Sequence, residues 1–119
     1  MSANANAYAQ SFAARRPIET ATANTIADGM AVRVPVPAAL ETILDGATGV
    51  VEVSDADVEE AMRAYFDDTH QVAEGAGAAP LAALLNATDR VGKRVAVILC
   101  GGNVDRDYYA RVLADRADT

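Results

Sequence analysis

Five consecutive residues, Val95-Ala96-Val97-Ile98-Leu99, are apolar at every position. A strand with one wet face alternates apolar and polar side chains, so an unbroken run predicts a strand covered on both faces. Such a strand belongs inside a parallel sheet with helices above and below it. The β-branched run Val50-Val51-Glu52-Val53 predicts a second strand.

Helical patterns surround both runs. Ser54 is placed as an N-cap, with Asp55 and Asp57 bringing negative charge to the first turn. Val58, Ala61, Met62, Tyr65, Phe66 and Thr69 then trace one face of a helix, while Glu59, Glu60, Arg63 and Asp67 occupy the other. Pro37 suits a first helical turn, with Val36, Leu40, Ile43 and Leu44 at helical spacing and a stop at Gly46. Residues 71–79 read as a tight passage of small residues, with Pro80 near the start of a helix whose Leu81, Leu84 and Leu85 face the core. Asn86 to Lys93 is a polar connection. Asn103 is expected to cap the last helix, whose buried stripe is Val104, Tyr108, Val112 and Leu113.

Upstream, residues 1–16 are an opening helix or a frayed terminus, with Tyr8 and Phe12 able to share one face. Glu19 to Ala31 is a loop with at most one helical turn, because its Thr, Asn, Asp and Gly residues compete with regular structure. The alternation implies an α/β fold, a parallel open sheet flanked by helices and joined by right-handed crossovers. Two strands leave both edges open, so residues 1–119 are expected to be a single partial domain.

Composition removes several function classes. With 10 Lys+Arg against 17 Asp+Glu the net charge is −7, and no basic cluster exists to displace the counterions of a nucleic acid. The longest apolar run, Val95 to Cys100, is too short to cross a bilayer. One Cys excludes an internal disulfide framework and fits a reducing, cytoplasmic setting. Aromatic residues make up 5% and Trp is absent, so the core has to be built from Ala, Val, Leu and Ile. The single His70 excludes a His cluster, and no metal site is expected.

Three segments join glycines to a polar group where a loop or strand meets a helix: Ala27-Asp28-Gly29, Glu74-Gly75-Ala76-Gly77 and Cys100-Gly101-Gly102-Asn103. Ligands of open parallel sheets bind beyond the carboxyl ends of strands, where Cys100 is expected. Glycine, having no Cβ, lets backbone approach a flat ligand.

Together with their flanks, Thr25 to Val32, Glu74 to Ala79 and Leu99 to Asp105, these segments resemble the C-terminal third of fold-type II pyridoxal-phosphate enzymes, above all threonine/serine dehydratases and serine racemase. The resemblance runs from about Ala7 to about Leu113 and implies that residues 17–119 are the C-terminal segment of the large domain. It implies pyridoxal 5'-phosphate as cofactor and places Cys100 opposite the pyridine nitrogen, Gly29 against the ring, and Asp28 and Glu74 along the pocket. The alternatives are an inert core thiol at Cys100 and a plain turn carboxylate at Glu74.

The lysine that forms the Schiff base and the Gly-rich phosphate loop have no counterpart here. The only lysine, Lys93, stands in the polar connection. The chain is therefore expected to be the C-terminal fragment of an ammonia-lyase that converts a hydroxy-amino acid to a 2-oxo acid and ammonia. No catalytic set is complete in it, and it is expected to be inactive alone, with weak or no cofactor binding. The expected partner is the missing N-terminal part of the enzyme or a second copy. The other reading is a non-catalytic remnant or interaction module that pairs with itself or with a separate N-terminal chain.

Overall fold

A computed structural model describes residues 1–90 and 92–115; Val91, inside the expected polar connection, lies outside the described residues. The helices are α1 (Ala7–Ala14), α2 (Pro37–Gly46), α3 (Asp55–Thr69), α4 (Gly75–Asn86) and α5 (Arg106–Ala114). Single 3-10 turns form at Asp28–Met30 and Thr88–Arg90, the first inside the expected loop.

Helix α3 begins as its sequence demands. Ser54 Oγ accepts from the Asp57 N–H at 3.1 Å, and the Ser54 N–H donates to Asp57 Oδ2 at 2.9 Å, so each residue satisfies the other's free donor. Val58, Ala61 and Met62 are buried, whereas Phe66 and Thr69, expected on the same face, are exposed near the helix end. The helix stops at His70, in the left-handed region at φ 56°, where its N–H donates to the Phe66 carbonyl at 3.0 Å.

Two boundaries differ from expectation. Helix α4 starts at Gly75, five residues before the position read from Pro80, which lies inside the helix. Proline lacks the N–H that would reach back to the Ala76 carbonyl, yet the tertiary packing of the preceding small residues carries the helix through it. Helix α5 is capped by Asp105 and not by Asn103: Asp105 Oδ1 accepts from the N–H groups of Asp107 at 2.9 Å and Tyr108 at 3.3 Å.

The sheet expectation meets a different arrangement. Among the described residues neither β-branched run joins a strand ladder. Val53 makes an isolated parallel bridge with Ser2, donating to the Met1 carbonyl at 2.8 Å and accepting from Ala3 at 2.8 Å. Arg94 to Cys100 make no backbone hydrogen bond among the described residues, and Ile98 is 76% exposed. A strand exists only as part of a pair, so sequence that favours one stays unpaired when no neighbour is within reach.

The core lies between α3 and α4. Met62 and Val58 are its largest fully buried apolar side chains, and Ala61, Ala73, Ala78 and Ala82 fill the contact around them. Ala and Val dominate as composition demanded, but Leu40 is the only leucine, and no isoleucine, among the fully buried residues described. A buried polar chain ties the amino end to this core: Ser2 Oγ donates to Thr25 Oγ1 at 2.8 Å, and Thr25 Oγ1 donates to Asp55 Oδ1 at 2.5 Å. Among the described residues no helix is long and apolar enough to cross a membrane.

Candidate functional site

The first turn of α4 brings the glycine-bearing segments together. A Cβ on Gly75 would stand 2.8 Å from the Ile26 carbonyl oxygen, and one on Gly77 would stand 2.5 Å from the Gly101 carbonyl oxygen. Both are backbone atoms that cannot swing away. Glycine here serves the approach of protein backbone to protein backbone, where the sequence alone suggested approach to a ligand. The consequence is that residues 26–29 and 101–103 flank one helix end.

Glu74, the residue before α4, locks that junction. Its N–H donates to the Gly101 carbonyl at 3.0 Å, and its Oε2 accepts from the Asn103 N–H at 3.0 Å. Its carboxylate does not cap its own helix. The 25–30 segment is held from the other side. Asp55 Oδ2 accepts from the Ile26 N–H at 3.3 Å, Thr25 Oγ1 accepts from the Ala27 N–H at 3.2 Å, and the Ala27 carbonyl accepts from Met30 at 2.8 Å.

These anchors enclose a cleft of about 440 Å³ whose walls include Asp28, Gly29, Glu74, Ala76, Asp105 and Tyr108. Gly29 is exposed, and its bare backbone leaves room that a Cβ would take, since a Cβ there would stand 3.1 Å from Ala76 Cβ. The walls carry the carboxylates of Asp28, Glu74 and Asp105 and, among the described residues, no Lys or Arg. Tyr108 donates its hydroxyl to Glu59 Oε1 at 2.8 Å. Burial, then that hydrogen bond and the charge of Glu59, push its phenol far above the ordinary tyrosine range, so it remains a neutral donor.

Of the residues singled out in sequence, Gly29, Asp28 and Glu74 line the one cleft. Cys100 does not line it; the thiol is exposed, unlike an inert core thiol, and precedes the Gly101 that bonds Glu74. Glu74 is both the turn carboxylate and a wall of the cleft. Asp105 closes the third glycine-bearing segment and Tyr108 belongs to the buried stripe expected of the last helix; neither was singled out as a wall of the cleft. Asn103 contributes through its backbone N–H, which sequence hides by nature.

An aromatic cofactor can be tested against these walls. The open face at Gly29 and the surrounding acceptors suit a flat heteroaromatic ring with polar substituents. They do not suit a phosphate dianion, which needs cations or several N–H donors. The residues present fit the ring and leave the phosphate to other groups.

Residues 1–101 match the family model for pyridoxal-phosphate dependent enzymes. The chain belongs to that family. It is 36% identical to the L-threonine ammonia-lyase of Thermotoga maritima over 75% of this chain and 22% of that protein. Identity to the L-threonine ammonia-lyase of Geobacter sulfurreducens is 46%, over 68% of this chain and 20% of the relative. The T.th. threonine deaminase superimposes with a TM-score of 0.81 at 31% identity, covering 87% of this chain and 38% of that one. Maize serine racemase gives a TM-score of 0.80 at 27% identity, covering 94% and 36%. The chain thus spans about a fifth of the length of the two curated ammonia-lyases.

Proposed function

We propose that this chain supplies one wall of the cofactor and substrate pocket of a pyridoxal-phosphate ammonia-lyase acting on hydroxy-amino acids such as threonine or serine, and that it is the C-terminal portion of such an enzyme. The observation that carries the reading is the convergence of three segments, distant in sequence, on the cleft beside Glu74. Similarity to L-threonine ammonia-lyases supports the reaction class. When bound, the cofactor supplies an electron sink for the bond broken at the amino acid's α-carbon.

The chain's own residues then have distinct tasks. Gly29 presents bare backbone to one side of the ring, where any side chain would press on Ala76. Cys100, whose exposed thiol stands outside the cleft in this chain, would be the weak neutral partner of the pyridine nitrogen. Such a partner would leave that nitrogen unprotonated and would favour loss of a β-hydroxyl over accumulation of charge. Asp28 and Glu74 border the polar edge, and Tyr108 closes the cleft with a phenol that stays protonated. In the assembled enzyme, the two β-branched runs join an open parallel sheet flanked by helices.

The test is ammonia and 2-oxo acid release from threonine with added cofactor. This chain alone is expected to give none. Fused behind the preceding portion of the Thermotoga maritima enzyme, it is expected to restore turnover that Gly29→Val abolishes. Turnover by the chain alone, or a folded but inactive fusion, overturns the reading.

A further inference from the structure

Asp55, Glu59 and Arg63 recur at every fourth residue of α3 and so share one face of the helix. The helical pattern placed Glu59 and Arg63 on the outer side with Glu60 and Asp67. In the structure all three members of the stripe are half-buried, whereas Glu60 and Asp67 are exposed. Each member bonds across the fold. Asp55 accepts from the Thr25 hydroxyl at 2.5 Å and from the Ile26 N–H at 3.3 Å. Glu59 Oε1 accepts from the Tyr108 hydroxyl at 2.8 Å, 49 residues away. Arg63 Nη1 donates to the Val112 carbonyl at 3.2 Å. Two of these bonds end on different walls of the cleft. Ile26 opens the wall that carries Asp28 and Gly29, and Tyr108 belongs to the wall supplied by α5. The third ends on Val112, which does not line the cleft.

We propose that Asp55 and Glu59 are positioning residues that set the opening of the cleft: they fix its 26–29 wall and its Tyr108 wall to successive turns of one helix, and thereby control how tightly the cofactor ring is held. The inference rests on the proposed function for the identity of that ring. Successive turns of a helix keep a fixed spacing of about 5.4 Å, so two walls hung on them cannot drift apart independently. Helix α3 is itself immobilised, by the Ser54–Asp57 box at its start and by Val58, Ala61 and Met62 in the core with α4. Helix α4 begins after Glu74 and carries the remaining wall at Gly75 and Ala76, so every wall refers to the same packed pair. The charge of Asp55 acts with that of Glu59 in raising the Tyr108 phenol, which places both carboxylates near that ring. Because the phenol proton is committed to Glu59, Tyr108 serves as a wall and not as a donor to the ligand. Binding groups work when the residues behind them hold them to within about 0.5 Å.

The test compares cofactor affinity with stability in the fusion to the preceding portion of the Thermotoga maritima enzyme. Fluorescence titration of the cofactor-free fusion with pyridoxal 5'-phosphate reads affinity, and urea denaturation reads stability. Glu59→Met removes the acceptor and is expected to weaken cofactor binding about tenfold, as loss of one bond to an ionised group does. Asp55→Ala is expected to do the same. Glu59→Gln keeps an acceptor and should restore most of the affinity. Asp55→Asn keeps one acceptor for two donors, should restore part of it, and gives the reading if Asp55→Ala does not fold. In a Tyr108→Phe background Glu59→Met should change affinity no further, because it acts through that hydroxyl. Arg63→Met cuts the third bond of the stripe and is expected to lower stability as Glu59→Met does while leaving affinity unchanged. Equal loss of affinity in Arg63→Met overturns the inference. So does unchanged affinity in Asp55→Ala and Glu59→Met, and so does an effect of Glu59→Met that persists in Tyr108→Phe. Cofactor binding that responds in this way without ammonia release would instead defeat the proposed function and leave the positioning role standing. Ammonia release with affinity indifferent to Asp55 and Glu59 would do the reverse.

Discussion

Glu74 and Asn103 hold each other across 29 residues of sequence: the Asn103 N–H donates to Glu74 Oε2 at 3.0 Å, while the Glu74 N–H bonds the Gly101 carbonyl at 3.0 Å two residues before Asn103. One residue thereby fixes the start of α4 and the turn that leads into α5. Glu74→Gln keeps an acceptor but removes the charge. Exchange of the Asn103 amide is expected to quicken by about tenfold, equivalent to about 1.4 kcal/mol, in line with the stronger bonds made by ionised acceptors. Unchanged exchange at Asn103 would show that the clasp contributes nothing in solution.

Glycines separate into required and dispensable ones. At Gly77 a Cβ would lie 2.5 Å from the Gly101 carbonyl oxygen, whereas nothing lies within 4 Å of one at Gly46. Gly77→Ala is expected to cost about 3 kcal/mol by forcing the backbones apart. Gly46→Ala should stabilise by about 0.5 kcal/mol through the unfolded chain. Urea denaturation of both variants measures the contrast, and equal effects would contradict the packing of α4 on the 101–103 turn.

The Ser54–Asp57 capping box predicts a pH dependence with a definite sign. Hydrogen bonds from the Ser54 hydroxyl, at 2.6 Å, and its N–H, at 2.9 Å, hold the Asp57 carboxyl below its ordinary value, with Asn86 assisting. The resulting stability is fully present above the unfolded value near 3.8 and is lost as pH falls through the lower folded value. Ser54→Ala should cost about 1 kcal/mol at neutral pH and flatten the loss below about pH 4. Parallel acid titration curves for the two proteins would refute the assignment.

Tyr108 gives the alkaline counterpart. Its phenol is pushed up by burial first and then by Glu59, so the folded state keeps a proton that the unfolded chain releases near pH about 10. Stability therefore falls as pH rises through that range. In the folded protein the Tyr108 phenol should stay silent in an ultraviolet titration, so Tyr108→Phe should leave the curve unchanged up to alkaline unfolding. A curve that loses one ionising phenol in Tyr108→Phe would place Tyr108 in contact with water.

Thr25 joins Ser2 to Asp55 through one hydroxyl. Thr25→Val keeps the shape and leaves the hydroxyl proton of fully buried Ser2 without its acceptor, although Ser2 Oγ still accepts from the Asn4 N–H, and is expected to cost about 2 kcal/mol. Because the same hydroxyl accepts from Ala27, amide exchange at Ala27 should quicken as well. Loss of stability without that local change would mean that the Asp28–Met30 turn is held by other contacts.

Local chemistry was legible in the sequence. The start of α3 follows from Ser54 and Asp57, because a capping box is written within four residues, and the buried Val58, Ala61 and Met62 follow from helical period. The grouping of Gly29, Asp28 and Glu74 was legible only through resemblance, since no local rule joins residues 45 positions apart. Tertiary structure alone decided that α4 begins at Gly75, because Gly75, Gly77 and Pro80 weaken helix preference there, and the stretch is helical where two other backbones lie against it. It also decided that Asp105 caps α5 while the Asn103 backbone serves Glu74. Strand preference was written plainly into Val95 to Leu99, but a ladder needs a second segment at hydrogen-bonding distance. Sequence sets that preference one residue at a time; only the assembled neighbours can satisfy it.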